Sequence, residues 1–229
     1  NVLISATILV SLDLISHKTS MVALRVIGMD HQTDLSTDGV SWSTTSTTPI
    51  TAGLLSSNVT SGQNIDAGLL ASLGNEIIAV VYDQDSGTIT FFSSTNGGVT
   101  SWADEAVDIP SGNGPQGVAV YPGIDGLDKL YVGTREGLYE VNTAPATWTL
   151  NLVVPMPPHN DNCRRMTVHN GALWFGQGVD NSSPAPIWRL TIQAENRVVE
   201  IDKGLNVGDG VPSDLLGPGT YLHSAGGFL

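Results

Sequence analysis

Short apolar bursts recur along this chain at intervals of some forty to fifty residues, and that recurrence limits its fold more than any other feature. Leu130-Tyr-Val-Gly133 returns as Leu173-Trp-Phe-Gly176, 43 residues on. Ile78-Ala-Val-Val81 precedes Leu130 by 52 residues, and Leu24-Arg-Val-Ile27 precedes Ile78 by 54. Between the bursts Gly, Pro, Asn and Ser break the chain every ~8 to 12 residues, and helical periodicity is almost absent. Each interval therefore holds several short strands. The second unit divides into strands near 68–72, 76–82, 88–93 and 100–109, the third into 117–121, 129–133, 137–141 and 147–154, and the fourth into 166–169, 172–176, 187–191 and 197–201. Four strands within such a period are the signature of a propeller blade.

The expected fold is thus all-β, a β-propeller of four-stranded antiparallel blades, about four of them plus an incomplete one. Approximate blade limits are 1–50, 51–110, 111–155 and 156–204, with a partial unit at 205–229. The partial unit rests on a register match, since Met166-Thr-Val-His-Asn-Gly-Ala-Leu-Trp174 aligns without gaps on Thr220-Tyr-Leu-His-Ser-Ala-Gly-Gly-Phe228. A propeller protects its terminal blade edges by closing its ring. An unfinished unit therefore points to closure by N-terminal strands or to a longer polypeptide, and the second is favoured here.

Charge excludes some partners. With 9 basic against 22 acidic residues the formal charge is −13, the wrong sign for neutralising phosphates or an anionic membrane surface. The apolar opening from Val2 to Ile15 is interrupted by Ser and Asp13 and falls short of the ~20 residues that a span requires. No nucleic acid and no membrane span are expected; the expected partners are other protein chains or glycans. The lone cysteine, Cys163, forms no internal disulfide.

Three turns carry a related pattern. In Gly87-Thr-Ile-Thr-Phe-Phe-Ser-Ser-Thr-Asn-Gly-Gly-Val-Thr-Ser-Trp102, β-branched and aromatic residues flank an Asn-Gly pair that accepts positive φ at little steric cost. Ser36-Thr-Asp-Gly-Val-Ser-Trp42 is a relative, and Asn142-Thr-Ala-Pro-Ala-Thr-Trp148 a more distant one. These turns resemble the Asp-box, or BNR repeat, of form Ser-x-Asp-x-Gly-x-Thr-Trp. Ser94, Asn96, Gly98 and Thr100 fit its first positions, with one extra residue before Trp102; Ser36, Asp38, Gly39 and Trp42 fit with one residue missing; the third copy keeps only the Thr-Trp ending at Trp148. The resemblance implies a structural turn between the third and outer strands of a blade, remote from any catalytic centre. Sialidases of that superfamily bind their substrate carboxylate with three arginines and use a Tyr/Glu pair. Their Arg-Ile-Pro motif has its nearest match in Ile187-Trp-Arg-Leu-Thr191, which lacks the proline, so no triad is assigned.

Ligands of propellers usually meet the face built from the connections between blades and from the turns between second and third strands. The connector Pro155-Met-Pro-Pro-His-Asn-Asp-Asn-Cys-Arg-Arg165 gathers His159, Asp161, Cys163, Arg164 and Arg165 there, and the turn Gly133-Thr-Arg-Glu-Gly137 adds Arg135. These residues read either as an anion or carboxylate site, or a His/Cys pair, or as a Pro-stiffened connector whose polar groups cap backbone amides. Asp83 and Asp85, in Asp83-Gln-Asp-Ser-Gly87, offer two carboxylates to a hard cation or form a solvated hairpin turn. Calcium is the one cofactor this pattern admits, and none is required. His169 and His223 share a repeat position, which favours a structural role for both.

With no contiguous catalytic motif, the expected function is a non-enzymatic interaction or scaffold module of a secreted, cell-surface or virion protein. The alternative is a carbohydrate-active propeller, a glycoside hydrolase or glycan binder, using carboxylates on the loop face.

Overall fold

The computed structural model describes residues 10–27, 30–44, 68–83, 86–95, 102–144, 147–164, 166–178 and 186–202. Those residues form strands and turns and no helix. The chain divides into two compact units, 1–115 and 116–229. Unit 1 holds β1 (Val10–His17), β2 (Ser20–Ile27), β3 (Asp30–Ser36) and β4 (Ser43–Thr44) in one sheet. Its second sheet is β5 (Gly68–Leu73), β6 (Glu76–Asp83), β7 (Thr88–Ser94) and β8 (Ala103–Pro110). Unit 2 holds β9 (Gly117–Pro122), β10 (Asp128–Thr134), β11 (Gly137–Asn142) and β12 (Thr149–Pro155), followed by β13 (Thr167–His169), β14 (Ala172–Gly176), β15 (Ile187–Gln193) and β16 (Asn196–Asp202).

Every sheet is an antiparallel meander whose strands pair in chain order. This is the blade of an all-β propeller, and β5 to β16 fall on the strands that the apolar bursts predict. The partial unit matched at Thr220–Phe228, with His223, lies outside the described residues, as do Asp85, Asn96, Gly98, Thr100 and Arg165.

Alternation puts one face of each strand into a core shared by two sheets. In unit 1 Val22 and Leu24 of β2 meet Leu70 of β5 and Ile77, Ala79 and Val81 of β6, with Phe92 and Trp102 packed against them. The first strands of the two sheets, β1 and β5, lie side by side. Leu70 N donates to Asp13 Oδ2 at 2.9 Å, and His17 Nδ1 meets Ser72 Oγ at 2.7 Å.

Unit 2 repeats this plan with more polar groups. Tyr131, Leu138, Leu173, Phe175 and Leu190 form the core, and Tyr121 Oη of β9 donates to Gly171 O at the β13–β14 turn, 2.6 Å away. Glu140 is buried on β11, accepts from Tyr131 Oη at 2.6 Å and receives Arg197 Nη2 of β16 at 2.5 Å. Burial, with Glu140 next, pushes the Tyr131 phenol far up, and the hydrogen bond to Glu140 raises Arg197. An apolar core tolerates this carboxylate because both neighbours bond to it.

Candidate functional site

The turn at Ser36 to Trp42 is held by its own side chains. Gly39 N donates to Ser36 Oγ at 2.8 Å, while Val40 N and Ser41 N donate to Asp38 Oδ1 at 2.8 and 2.7 Å. Those two amides, with the Ser36 hydroxyl, pull the Asp38 carboxyl down to about 2. Oδ1 of Asp38 thus accepts from the Ser36 hydroxyl and from both amides, which fixes the turn locally. Ser94 ends β7, Trp102 packs on the unit 1 core, and Trp148 is buried just before β12. Asp83 behaves similarly: its carboxylate accepts from Ser86 Oγ at 2.6 Å and the turn closes through Gly87 N to Asp83 O at 2.9 Å.

The connector between β12 and β13 is different, because three elements meet on it. Met156 N donates to Glu136 O at 2.9 Å and His159 N to Arg135 O at 3.1 Å, which ties the connector to the β10–β11 turn. Asn162 completes the tie. Fully buried, it donates through Nδ2 to Arg135 O at 2.6 Å and Pro157 O at 2.8 Å, and accepts at Oδ1 from Gly178 N at 2.9 Å, beyond β14. One amide side chain thereby joins turn, connector and the start of the β14–β15 connection. The sequence alone does not single out Asn162, because Asn160 stands in the same proline-stiffened connector.

On this frame the polar side chains converge. Arg164 Nη1 donates to Asp161 Oδ1 at 2.5 Å, and His159 Nδ1 lies 3.8 Å from Asp161 Oδ2. Each side chain stays partly open to solvent, at 28% for His159, 17% for Asp161 and 19% for Arg164. Three expected site residues, His159, Asp161 and Arg164, are brought together here. Arg135 joins them through its backbone carbonyl.

A His/Cys catalytic pair does not form. Cys163 is wholly buried, and that burial pushes its thiol far above the range in which a thiolate exists near neutrality. Its role is steric. It sits at φ 55 with its N donating to Gly176 O at 2.7 Å, and its Cβ lies against Gly133, where an added Cβ would come within 2.3 Å. A small residue in this strained turn directs the connector back over β10.

A cleft of about 240 Å³ on the sheet β13–β16 is lined by Trp174, Arg189, Glu200 and Ile201. The Arg189 guanidinium carbon lies 5.6 Å from the Trp174 ring centroid, and Arg189 pairs with Glu200 across the strands. Trp174 and Arg189 stand where the sheet β9–β12 has Tyr131 and Glu140, the pair that Arg197 covers.

These meanders and their connector define a class, the β-propeller with polar loop-face connections. No family model and no curated protein matches the sequence. Solved structures do share the fold. A GH43 protein of Bacillus licheniformis matches at TM-score 0.50 and 11% identity over 83% of this chain and 40% of its own. An exo-beta-1,3-galactanase of Bifidobacterium bifidum matches at 0.47 and 10% over 83% and 69%. An exo-beta-1,3-galactanase of Phanerochaete chrysosporium, solved with beta-1,3-galactotriose, matches at 0.45 and 8% over 83% and 48%. The chain thus spans less than half the length of two of these three proteins.

The expectation of a non-enzymatic scaffold or virion module is corrected by this comparison. The structure matched at TM-score 0.50 is a GH43 protein, not a scaffold or virion module, and at 11% identity the likeness is one of fold. The expectation leaned on the absence of a contiguous motif, and in a propeller that absence excludes nothing, because different blades can each supply one residue. Among the described residues no helix is long and apolar enough to cross a membrane.

Proposed function

We propose that this chain is a carbohydrate-active propeller that takes a glycan on the loop face of unit 2, at His159, Asp161 and Arg164. The observation that carries this reading is the partly exposed convergence of an imidazole, a carboxylate and a guanidinium on a connector locked by buried Asn162. Sugar hydroxyls both donate and accept, and this set offers an acceptor beside two donors at fixed positions. Rigid support reduces the ordering cost of binding. The reading carries with it an extracellular or cell-surface location and takes the Ser36 to Trp42 turn as an Asp-box relative.

The test is calorimetric titration with a panel of neutral oligosaccharides that includes β-1,3-galactotriose and sucrose, alongside an assay for released reducing sugar. At least one member is expected to bind, and Asp161→Asn or Arg164→Ala is expected to weaken it by about tenfold or more, the loss of one charge-assisted hydrogen bond. Thermal midpoints should fall as well, because the two side chains are largely buried and pair with each other, so affinities are compared at a temperature where every variant is folded. Failure of the whole panel to bind overturns the reading.

A further inference from the structure

We propose that His159 is a ligand-contacting donor at this site, presenting Nε2–H to a sugar oxygen, and that Gly178 is the positioning residue that seats the ring; this rests on the glycan reading above. Asp161 N donates to His159 Nδ1 at 3.2 Å. A backbone amide has only a proton to offer, so Nδ1 must present its lone pair and the ring proton resides on Nε2. The backbone around the ring is equally constrained, with His159 N bonded to Arg135 O and Asn162 N bonded to His159 O, each at 3.1 Å.

Gly178 explains why the ring lies where it does. A Cβ built there would stand 2.0 Å from Nδ1, 2.7 Å from Cγ and 2.9 Å from Cε1. The imidazole therefore rests on bare backbone that Asn162 Oδ1 holds in place through Gly178 N. Any side chain at 178 would push the ring off this seat and break its bond to Asp161 N.

Nε2 takes no part in these bonds. It makes no hydrogen bond to a described residue and is not among the enclosed polar atoms, while the side chain is 28% exposed. The Asp161 carboxylate lies on the Nδ1 side of the ring, with Oδ2 3.8 Å from Nδ1, so an N–H on Nε2 is a donor separate from that acceptor, and the two suit different oxygens of a hydroxyl-bearing ligand. Arg164 offsets the charge of Asp161, so the two together suit a neutral sugar better than an anionic one.

Two near-isosteres separate the ring's two nitrogens. Asparagine carries a carbonyl near the Nδ1 position but reaches no donor as far as Nε2; glutamine carries an amide NH₂ near Nε2. With the tightest-binding member of the oligosaccharide panel, His159→Gln is expected to stay within about threefold of wild-type affinity and His159→Asn to lose about tenfold or more. Gly178→Ala should also lose about tenfold. Nitrogen-15 correlation spectra of the free wild-type protein should show the Nε2–H tautomer. An Asn variant that binds like wild type, or a Gln variant as weak as the Asn variant, overturns this inference alone. Absence of any binding by the wild-type protein overturns it together with the glycan reading.

Discussion

His17 shows how a single side chain makes this fold sensitive to pH. It is 4% exposed between the first strands of the two unit 1 sheets, bonded to Ser72 Oγ. Burial first, and Lys18 second, lower its pKa from 6.5. The unfolded chain therefore binds a proton more readily than the folded one, so stability is complete above pH 6.5 and declines as the pH falls below it. Thermal melts between about pH 7.5 and about 5.5 should show a falling midpoint, and His17→Asn should flatten the slope. An unchanged slope would place the titrating group elsewhere. Asp38 has the same sign in a lower window, although there the charged form is favoured: its bonds form with the carboxylate, so its contribution is present above pH 3.8 and disappears as the pH approaches 2. The Ser-x-Asp-Gly order predicted that local turn from residues two and three apart, and no distant partner was needed to form it.

The strand is the scale at which one expectation slipped by a residue. By spacing the bursts at Ile78, Leu130 and Leu173 read as equivalent, yet Leu173 and Phe175 of β14 face the sheet before their own, whereas on β6 that face belongs to Ile77, Ala79 and Val81. Ile78 points the other way. Side chains alternate with period two, so a spacing wrong by one residue reverses every face, and an all-apolar run such as Ile77-Ile-Ala-Val-Val81 shows no polar residue to reveal the error. Trp102 belongs to this scale too. It precedes β8 and packs onto the core formed by β2, β5 and β6, so Trp102→Ala should cost about 3 kcal/mol, the low end for a large aromatic because the ring is only partly buried. Denaturant unfolding would measure it. Unit 2 glycan binding should persist in the folded fraction, and a variant that folds like wild type but binds no sugar would refute this placement.

At the scale of the whole molecule, a charge of −13 on 229 residues adds like-charge repulsion to the folded state. Screening relieves it. Raising salt from about 20 mM to about 500 mM should lift the thermal midpoint at neutral pH, and a fall would show that local ion pairs such as Arg197–Glu140 outweigh the net repulsion. The fold class was legible because its determinants are local: alternating strands, turns every few residues and a repeat long enough for four strands. Part of the candidate site was legible for a similar reason, since His159, Asp161 and Arg164 lie within one connector. What only the tertiary structure decided is the frame that holds them. Asn162 reaches back 27 residues to the carbonyl of Arg135 and forward to Gly178 N, and Cys163 closes against Gly133. Bonds to backbone groups leave no mark on residue identity, because every residue has a carbonyl and nearly every one an amide. The sequence by itself determined the strands and turns, and packing between distant elements decided which polar groups were left facing a ligand.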